Sequence, residues 1–172
     1  MLKQGLKTLY SIGYYGPMIL LTVLILIIIK TELTNLTTVT NHILYIILMN
    51  AFASELNGVL KKVIKQPRPK NPIKINRHDV RHSKSYGMPS GHAQLVVTNL
   101  VYLSLFAKNN IITTLSSCIA LLTLYQRYVC RMHTLSQLAC GSIVGYIIGY
   151  IFFKAYLCIF KKEAESNKNK TN

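Results

Sequence analysis

Acid is scarce in this chain and tryptophan is absent: Asp and Glu total 5 of 172 residues, against 20 Lys and Arg. With so few carboxylates and no cluster of them, a site that grips Mg²⁺ or Ca²⁺ through oxygen ligands has little to be built from, and no metal or other cofactor is expected. The four cysteines, Cys118, Cys130, Cys140 and Cys158, lack metal-type spacing. Lying in or beside apolar runs, they read as small buried apolar residues rather than as a redox or metal centre. No internal repeat is visible. A small-x-small cleavage site is missing where the first apolar run ends in Lys30-Thr31-Glu32, so that run reads as a retained span rather than a secretory signal, despite Lys3 and Lys7 ahead of it. The one low-complexity segment, KKEAESNKNKTN at 161–172, has too few apolar residues to fold and is expected to be a disordered tail.

Apolar sequence is what the chain has in quantity, 51% of it. It gathers into five uncharged or nearly uncharged runs: Leu9–Ile29, His42–Leu60 (broken only by Glu55), Pro89–Ala107, Ile111–Gln126 and Thr134–Phe153. Each is near the ~20 residues that cross a hydrocarbon layer, the fourth being short. Backbone polar groups in lipid must be satisfied within the segment, so these runs are predicted to be helices. The expected architecture is all-α: a polytopic membrane bundle of about five transmembrane helices, forming one domain over residues 1–160.

The basic residues are unevenly placed. Nine fall between Lys61 and Lys84, and Lys3, Lys7, Arg127 and Arg131 add to them. Five spans put the chain start, the loop after the second span and the turn after the fourth on one membrane face, which therefore collects a dense positive field. Nucleic acid is disfavoured as its partner, because the basic residues alternate with Pro and His rather than with stacking aromatics. Anionic lipid head groups at the membrane surface and a phosphate-bearing substrate remain.

Three motifs sharpen the choice. The second span ends in LKKVIKQPRP, residues 60–69, where Pro67 restricts Gln66 and should stop the helix. Arg68 is thus held at a stiff exit with Lys61 about two turns back, a point charge and a planar fork for one anion. The third span begins YGMPSGHAQ, residues 86–94. Ser90 falls near the N-cap and Gly91 where backbone must approach a ligand, so the unpaired N–H groups form an anion cradle with His92 at its rim. Then QRYVCRMHTLSQ, residues 126–137, places Arg127 at the exit of the fourth span, His133 at the start of the fifth, and Gln137 one turn further within reach of the imidazole. Each alone is ordinary: snorkelling cations, a capped helix, a boundary histidine. Together they sit at the ends of spans two and four and the starts of three and five, on one face.

Over residues 50–150 this pattern, Lys-x6-Arg-Pro, Pro-Ser-Gly-His and Arg-x5-His-x3-Gln, resembles the type 2 phosphatidic acid phosphatase superfamily. LKKVIKQPRP, YGMPS and HTLSQ point within it to the dolichyldiphosphatase subgroup, Gln137 standing where most of the superfamily carries Asp. Two positions depart from the pattern. Gln126 replaces the usual Ser before Arg127, so one phosphate contact is absent or is made by the amide, and Gly91 matches the wider superfamily rather than the subgroup, which often has Ser there. The resemblance implies attack by His133 on phosphorus, a phosphohistidine intermediate, His92 as general acid and no metal. Lys61, Arg68, Arg127 and the Ser90 and Gly91 amides would neutralise the phosphoryl oxygens, while Gln137 would orient the ring without adding charge.

The implied substrate is a dolichyl (polyprenyl) diphosphate, and the implied location the endoplasmic reticulum membrane with a lumenal site, although the basic face by itself would point to the cytosol. The alternatives are a phosphatidate-type phosphatase and an inactive anionic-lipid-binding scaffold. Two structural expectations accompany this reading. Glu55, costly inside a span, is expected to hold Lys61 or Lys62 from below. Gly141, Gly145 and Gly149 recur every four residues on the face of His133 and Gln137, and are expected to pack that face against the bundle, with homodimerisation through the same glycines as the lesser possibility.

Overall fold

The computed structural model describes residues 2–73 and 86–161, and among them the architecture is all-helical. Helix α1 spans Leu2–Glu32, α2 Leu36–Ile64, α3 Gly91–Ala107, α4 Asn110–Val129 and α5 Leu135–Tyr156, continued by a π-helical turn over Leu157–Lys161. Each predicted apolar run lies inside one of these helices or overlaps all but its first residues. Three of the helices are long and apolar enough to cross a membrane, over Tyr10–Glu32, Leu36–Ile64 and Leu135–Phe160. The chain is an integral membrane protein. Helix α3 is apolar but shorter, at 17 residues, about 25 Å of rise against the roughly 30 Å of a hydrocarbon core. Of the tail over 161–172, residues 162–172 lie outside the described residues, as do Lys74 to Lys84 of the basic loop.

The helix ends follow from local chemistry. Asn35, Ser90, Asn109 and Thr134 are N-caps whose side chains accept from backbone amides of the first turn. Thr134 and Gln137 form a full capping box. The second helix stops as the Gln66–Pro67 pair requires, with Lys65 as a left-handed cap at φ 51° whose N–H returns to Lys61 O.

Packing brings the motif-bearing ends together. Helices α3 and α5 run parallel, both beginning at the same end of the bundle, and the glycine stripe sets their spacing. A Cβ on Gly141 would lie 2.5 Å from Ser90 O, one on Gly149 2.6 Å from Thr98 O, and one on Gly145 would collide with Gln94 O. The stripe therefore meets α3 within the chain, as expected. That contact leaves no room for homodimerisation through these glycines. A core of Leu24, Ile28, Ile46, Met49, Tyr102 and Ile148, all buried, fills the half of the bundle away from the motifs.

Candidate active site

Two histidines, His92 and His133, line one cavity of about 240 Å³ together with Ser54, Asn57, Lys61, Arg68, Gly91, Leu95 and Arg127. His133 lies just ahead of α5, 3% exposed. Its Nδ1 donates to Gln137 Oε1 at 3.2 Å, and its Nε2 accepts from Arg68 Nη1 at 3.2 Å. The amide orientation of Gln137 is over-determined: Oε1 also accepts from Thr134 N at 3.2 Å, while Nε2 donates to Pro67 O at 2.8 Å and Gln66 Oε1 at 3.1 Å. Turning the amide over would set oxygen against oxygen on one side and N–H against N–H on the other. The ring is thus fixed as the Nδ1–H tautomer with the Nε2 lone pair toward the cavity, the form a nucleophile at phosphorus needs. Burial first, then the Arg68 charge and with smaller effect Lys61 and Arg127, hold its pKa down at about 3 against a partial rise from the Gln137 hydrogen bond, so at neutral pH the ring is uncharged.

The cations converge because the described parts of the connection between α2 and α3, residues 65–73 and 86–90, form a strap tied to the turn between α4 and α5 and to one another. Arg68 also donates to Met132 O at 3.2 Å, Gly87 N donates to Gln66 O at 2.7 Å, and Ile73 N to Cys130 O at 2.9 Å. Gly87 is there for space, since a Cβ would press on the Gln137 amide at 2.6 Å. Arg127, in the last turn of α4 and 3% exposed, donates to His92 Nε2. Lys61 reaches from α2 over Gly91, where a Cβ would come within 3.7 Å of its Nζ. Among the described residues, the smaller cavity thus carries three cations, two imidazoles and no carboxylate. A wider recess of about 730 Å³ also touches His133, but Lys61, His92 and Arg127 do not line it.

All eight residues singled out in the sequence gather at this end, with three adjustments. Ser90 is wholly buried and spent on structure: its Oγ caps α3, accepting from Ala93 N at 3.4 Å, and its N–H donates to Gln137 O at 3.0 Å. Its amide therefore does not belong to the anion cradle, which is left to the first turn of α3 at Gly91. Glu55 does not hold a lysine. It is exposed, and six residues along a helix are about 120° of rotation from the same face, while Lys62, seven along, is two turns away. The place beneath Lys61 belongs to Asn57, whose Nδ2 donates to Gln94 Oε1 at 2.7 Å and Pro89 O at 3.3 Å. Gln126 does not replace the missing Ser contact, for it turns away from the cavity and packs its Cβ against Gly13 of α1.

Sequence comparison places the motif-bearing residues in a known family. The family model of the PAP2 superfamily matches residues 41–160, which carry every motif above. The chain belongs to the PAP2 superfamily. Among PAP2 relatives it is 30% identical over 121 residues to a Dictyostelium discoideum protein named dolichyldiphosphatase 1, covering 64% of this chain and 50% of that one. It is 33% identical over 107 residues to the Saccharomyces cerevisiae dolichyldiphosphatase, covering 56% and 44%. The chain spans about half the length of these relatives. The fold matches the crystal structure of a transmembrane PAP2-type phosphatidylglycerolphosphate phosphatase from Bacillus subtilis with a TM-score of 0.69 at 20% identity, over 88% of this chain and 76% of that one.

Proposed function

We propose that this PAP2 chain is a membrane lipid phosphatase that hydrolyses a polyprenyl diphosphate of the dolichyl type to the monophosphate and phosphate. The observation that carries the reading is that His133 and His92 line one cationic cavity, each with its Nε2 against an arginine. A phosphoryl group between them would take its charge neutralisation from Arg68, Arg127 and Lys61, with no metal required of a donor set made of cations. The His133 Nε2 lone pair forms a bond to the terminal phosphorus as the bond to the bridging oxygen breaks, and that oxygen leaves with the electron pair. His92, once protonated, gives its proton to the leaving oxygen. Water then attacks the phosphohistidine, His92 takes the water proton, and phosphate departs with Nε2 restored.

Gln137 supports the diphosphate over a monoester. It fixes the tautomer but supplies no negative charge to an imidazolium, so it aids the easier displacement more than the harder one. The leaving lipid monophosphate, with a second pKa of about 6 by the phosphoserine yardstick, needs far less help than an alkoxide. The names of the two dolichyldiphosphatase relatives support the same lipid class. We place the protein in the endoplasmic reticulum membrane with the cavity toward the lumen.

Phosphate release by purified protein in EDTA, from a panel of polyprenyl diphosphates, phosphatidate and alkyl monophosphates, tests the function. Preference for the diphosphates supports the reading, preference for phosphatidate replaces the lipid, and release from none leaves an anionic-lipid scaffold. Sidedness has its own test, because Asn35-Leu36-Thr37 lies in the turn between α1 and α2, at the end of the bundle opposite the cavity. A lumenal cavity leaves Asn35 unmodified in a eukaryotic cell, whereas glycosylation there puts the cavity in the cytosol. The other sequon, at Asn169, lies outside the described residues.

A further inference from the structure

Helix α1 lies before the family-matched residues 41–160, yet it contacts two of the residues that line the cavity. Gly13 and Gly16 let it sit unusually close to α4: a Cβ on Gly13 would lie 2.7 Å from Gln126 Cβ and 2.9 Å from Leu122 O, and one on Gly16 would collide with Thr123 Oγ1. Between them Tyr14 is brought under the guanidinium of Arg127, whose Cζ stands 4.8 Å from the ring centroid. The same ring is tilted against His92, 5.4 Å between centroids. One phenol therefore touches both the cation that clamps the phosphoryl group and the imidazole that serves the leaving oxygen. The Gln126 side chain, packed on Gly13 one residue before Arg127, sets the height at which the two helices meet.

We propose that Tyr14 is a positioning residue for Arg127 and His92. An incoming phosphate competes with His92 for the Arg127 donors, and a guanidinium at the end of four rotatable bonds would follow the anion. A ring beneath its face holds it in plane by cation–π attraction, which is strongest where water is excluded, as it is from Arg127 at 3% exposure. The His92 imidazole, bounded by the same ring, then keeps its line to the bridging oxygen. Among the described residues, the charged and titratable groups that share the site with His92 are Arg127 from α4, Tyr14 from α1, Lys61 from α2, Arg68 from the strap and His133 ahead of α5.

The role rests on the assignment of His92 and His133 above. The test compares Tyr14→Phe and Tyr14→Leu with wild type, on a short polyprenyl diphosphate and on an alkyl monophosphate, across pH. The expected result for Tyr14→Leu is a fall in kcat of about tenfold on the diphosphate and about a hundredfold on the monophosphate, with KM changed by less than about threefold and a displaced acid limb. Tyr14→Phe keeps its ring and should stay within about threefold. Wild-type rates in Tyr14→Leu overturn the role, as do losses equal on both substrates that track a lower Tm, which mark a packing residue only. Should the leucine variant fail to fold, mono-, di- and trifluorophenylalanine at position 14 preserve shape while draining electron density from the ring face. A stepwise fall in kcat supports the platform, and a flat series overturns it. His133→Ala in the same assay separates the two ideas: activity surviving there defeats the histidine assignment itself, while an active Tyr14→Leu defeats only the platform.

Discussion

The two ends of the bundle each hold a buried histidine in the same tautomer, and they use it oppositely. At the far end, His42 donates from Nδ1 to Glu32, 3.0 Å from both carboxylate oxygens, and accepts at Nε2 from the Tyr102 hydroxyl at 2.8 Å. Tyr156 stacks on the ring at 4.0 Å and donates to Glu32 Oε1 at 2.7 Å. Both ring nitrogens, both phenols and both carboxylate oxygens there have a partner within the cluster, so it is complete without a ligand. About 28 Å along α2, His133 also donates from Nδ1, but to a neutral amide, and its Nε2 is covered by a guanidinium that a phosphate can draw away. Three cations stand there without a carboxylate among the described residues. Surplus charge and a removable cover, rather than a buried histidine as such, mark the end that is built to bind.

That contrast can be broken in order of expected effect. His133→Ala should lower phosphate release by on the order of a thousandfold or more, while binding of inorganic vanadate persists because Lys61, Arg68 and Arg127 remain. Turnover near the wild-type rate would make the two histidines equals. Next, Gln137→Glu imports the far-end arrangement to the reactive end. The carboxylate can still accept from His133 but turns its second oxygen on Pro67 O and Gln66 Oε1, which now receive N–H bonds. Leaving those groups unpaired costs about 1–3 kcal/mol of stability, and activity should fall roughly tenfold with it. A variant both stable and faster would show that charge, not orientation, is what the glutamine withholds.

A smaller effect is read in acid. Below pH 6.5 an unfolded chain protonates this imidazole, whereas the folded site refuses the proton until about pH 3. The associated stability is therefore present above pH 6.5 and lost progressively as pH falls toward 3. Between pH 7 and 4, His133→Asn should lose Tm less steeply than wild type, and parallel curves would contradict the depressed pKa. Last, His42→Ala should leave kcat per folded molecule within about twofold, since it touches nothing in the cavity. Its cost is in stability, about 1–3 kcal/mol for leaving Glu32 one donor short. A selective loss of turnover would couple the ends.

What the sequence revealed follows the reach of its local rules. The Ser90 cap, the stop before Pro67, the i,i+4 hydrogen bond from His133 to Gln137 and the glycine stripe all depend on neighbours within a turn or on one helix face, and each was legible. Glu55 was misplaced because an acid in a span attracted notice, while 100° per residue, applied strictly, would have pointed to Asn57, four before Lys61. Tyr14 gave no local signal. Its partners are more than 75 residues away, and only the small Gly13 and Gly16, three apart, hinted that α1 approached another helix. Ser90 illustrates a third limit: a residue inside a binding motif can be consumed by the scaffold, which only the position of Gln137 O discloses.

The parallel seam between α3 and α5 has a consequence for how such chains can change in length. Glycines at 141, 145 and 149 meet positions 90, 94 and 98 in matching steps of four, so the two helices are indexed against each other like teeth. One residue inserted between Gly141 and Gly145 would rotate everything ahead of it by about 100°, turning Gln137 and His133 off the cavity while the glycines beyond stayed seated. The same insertion after Gly149 would leave the cavity as it is and move only the far end. Insertions and deletions should therefore be tolerated in a gradient along α5, forbidden beside His133 and increasingly permitted toward Tyr156.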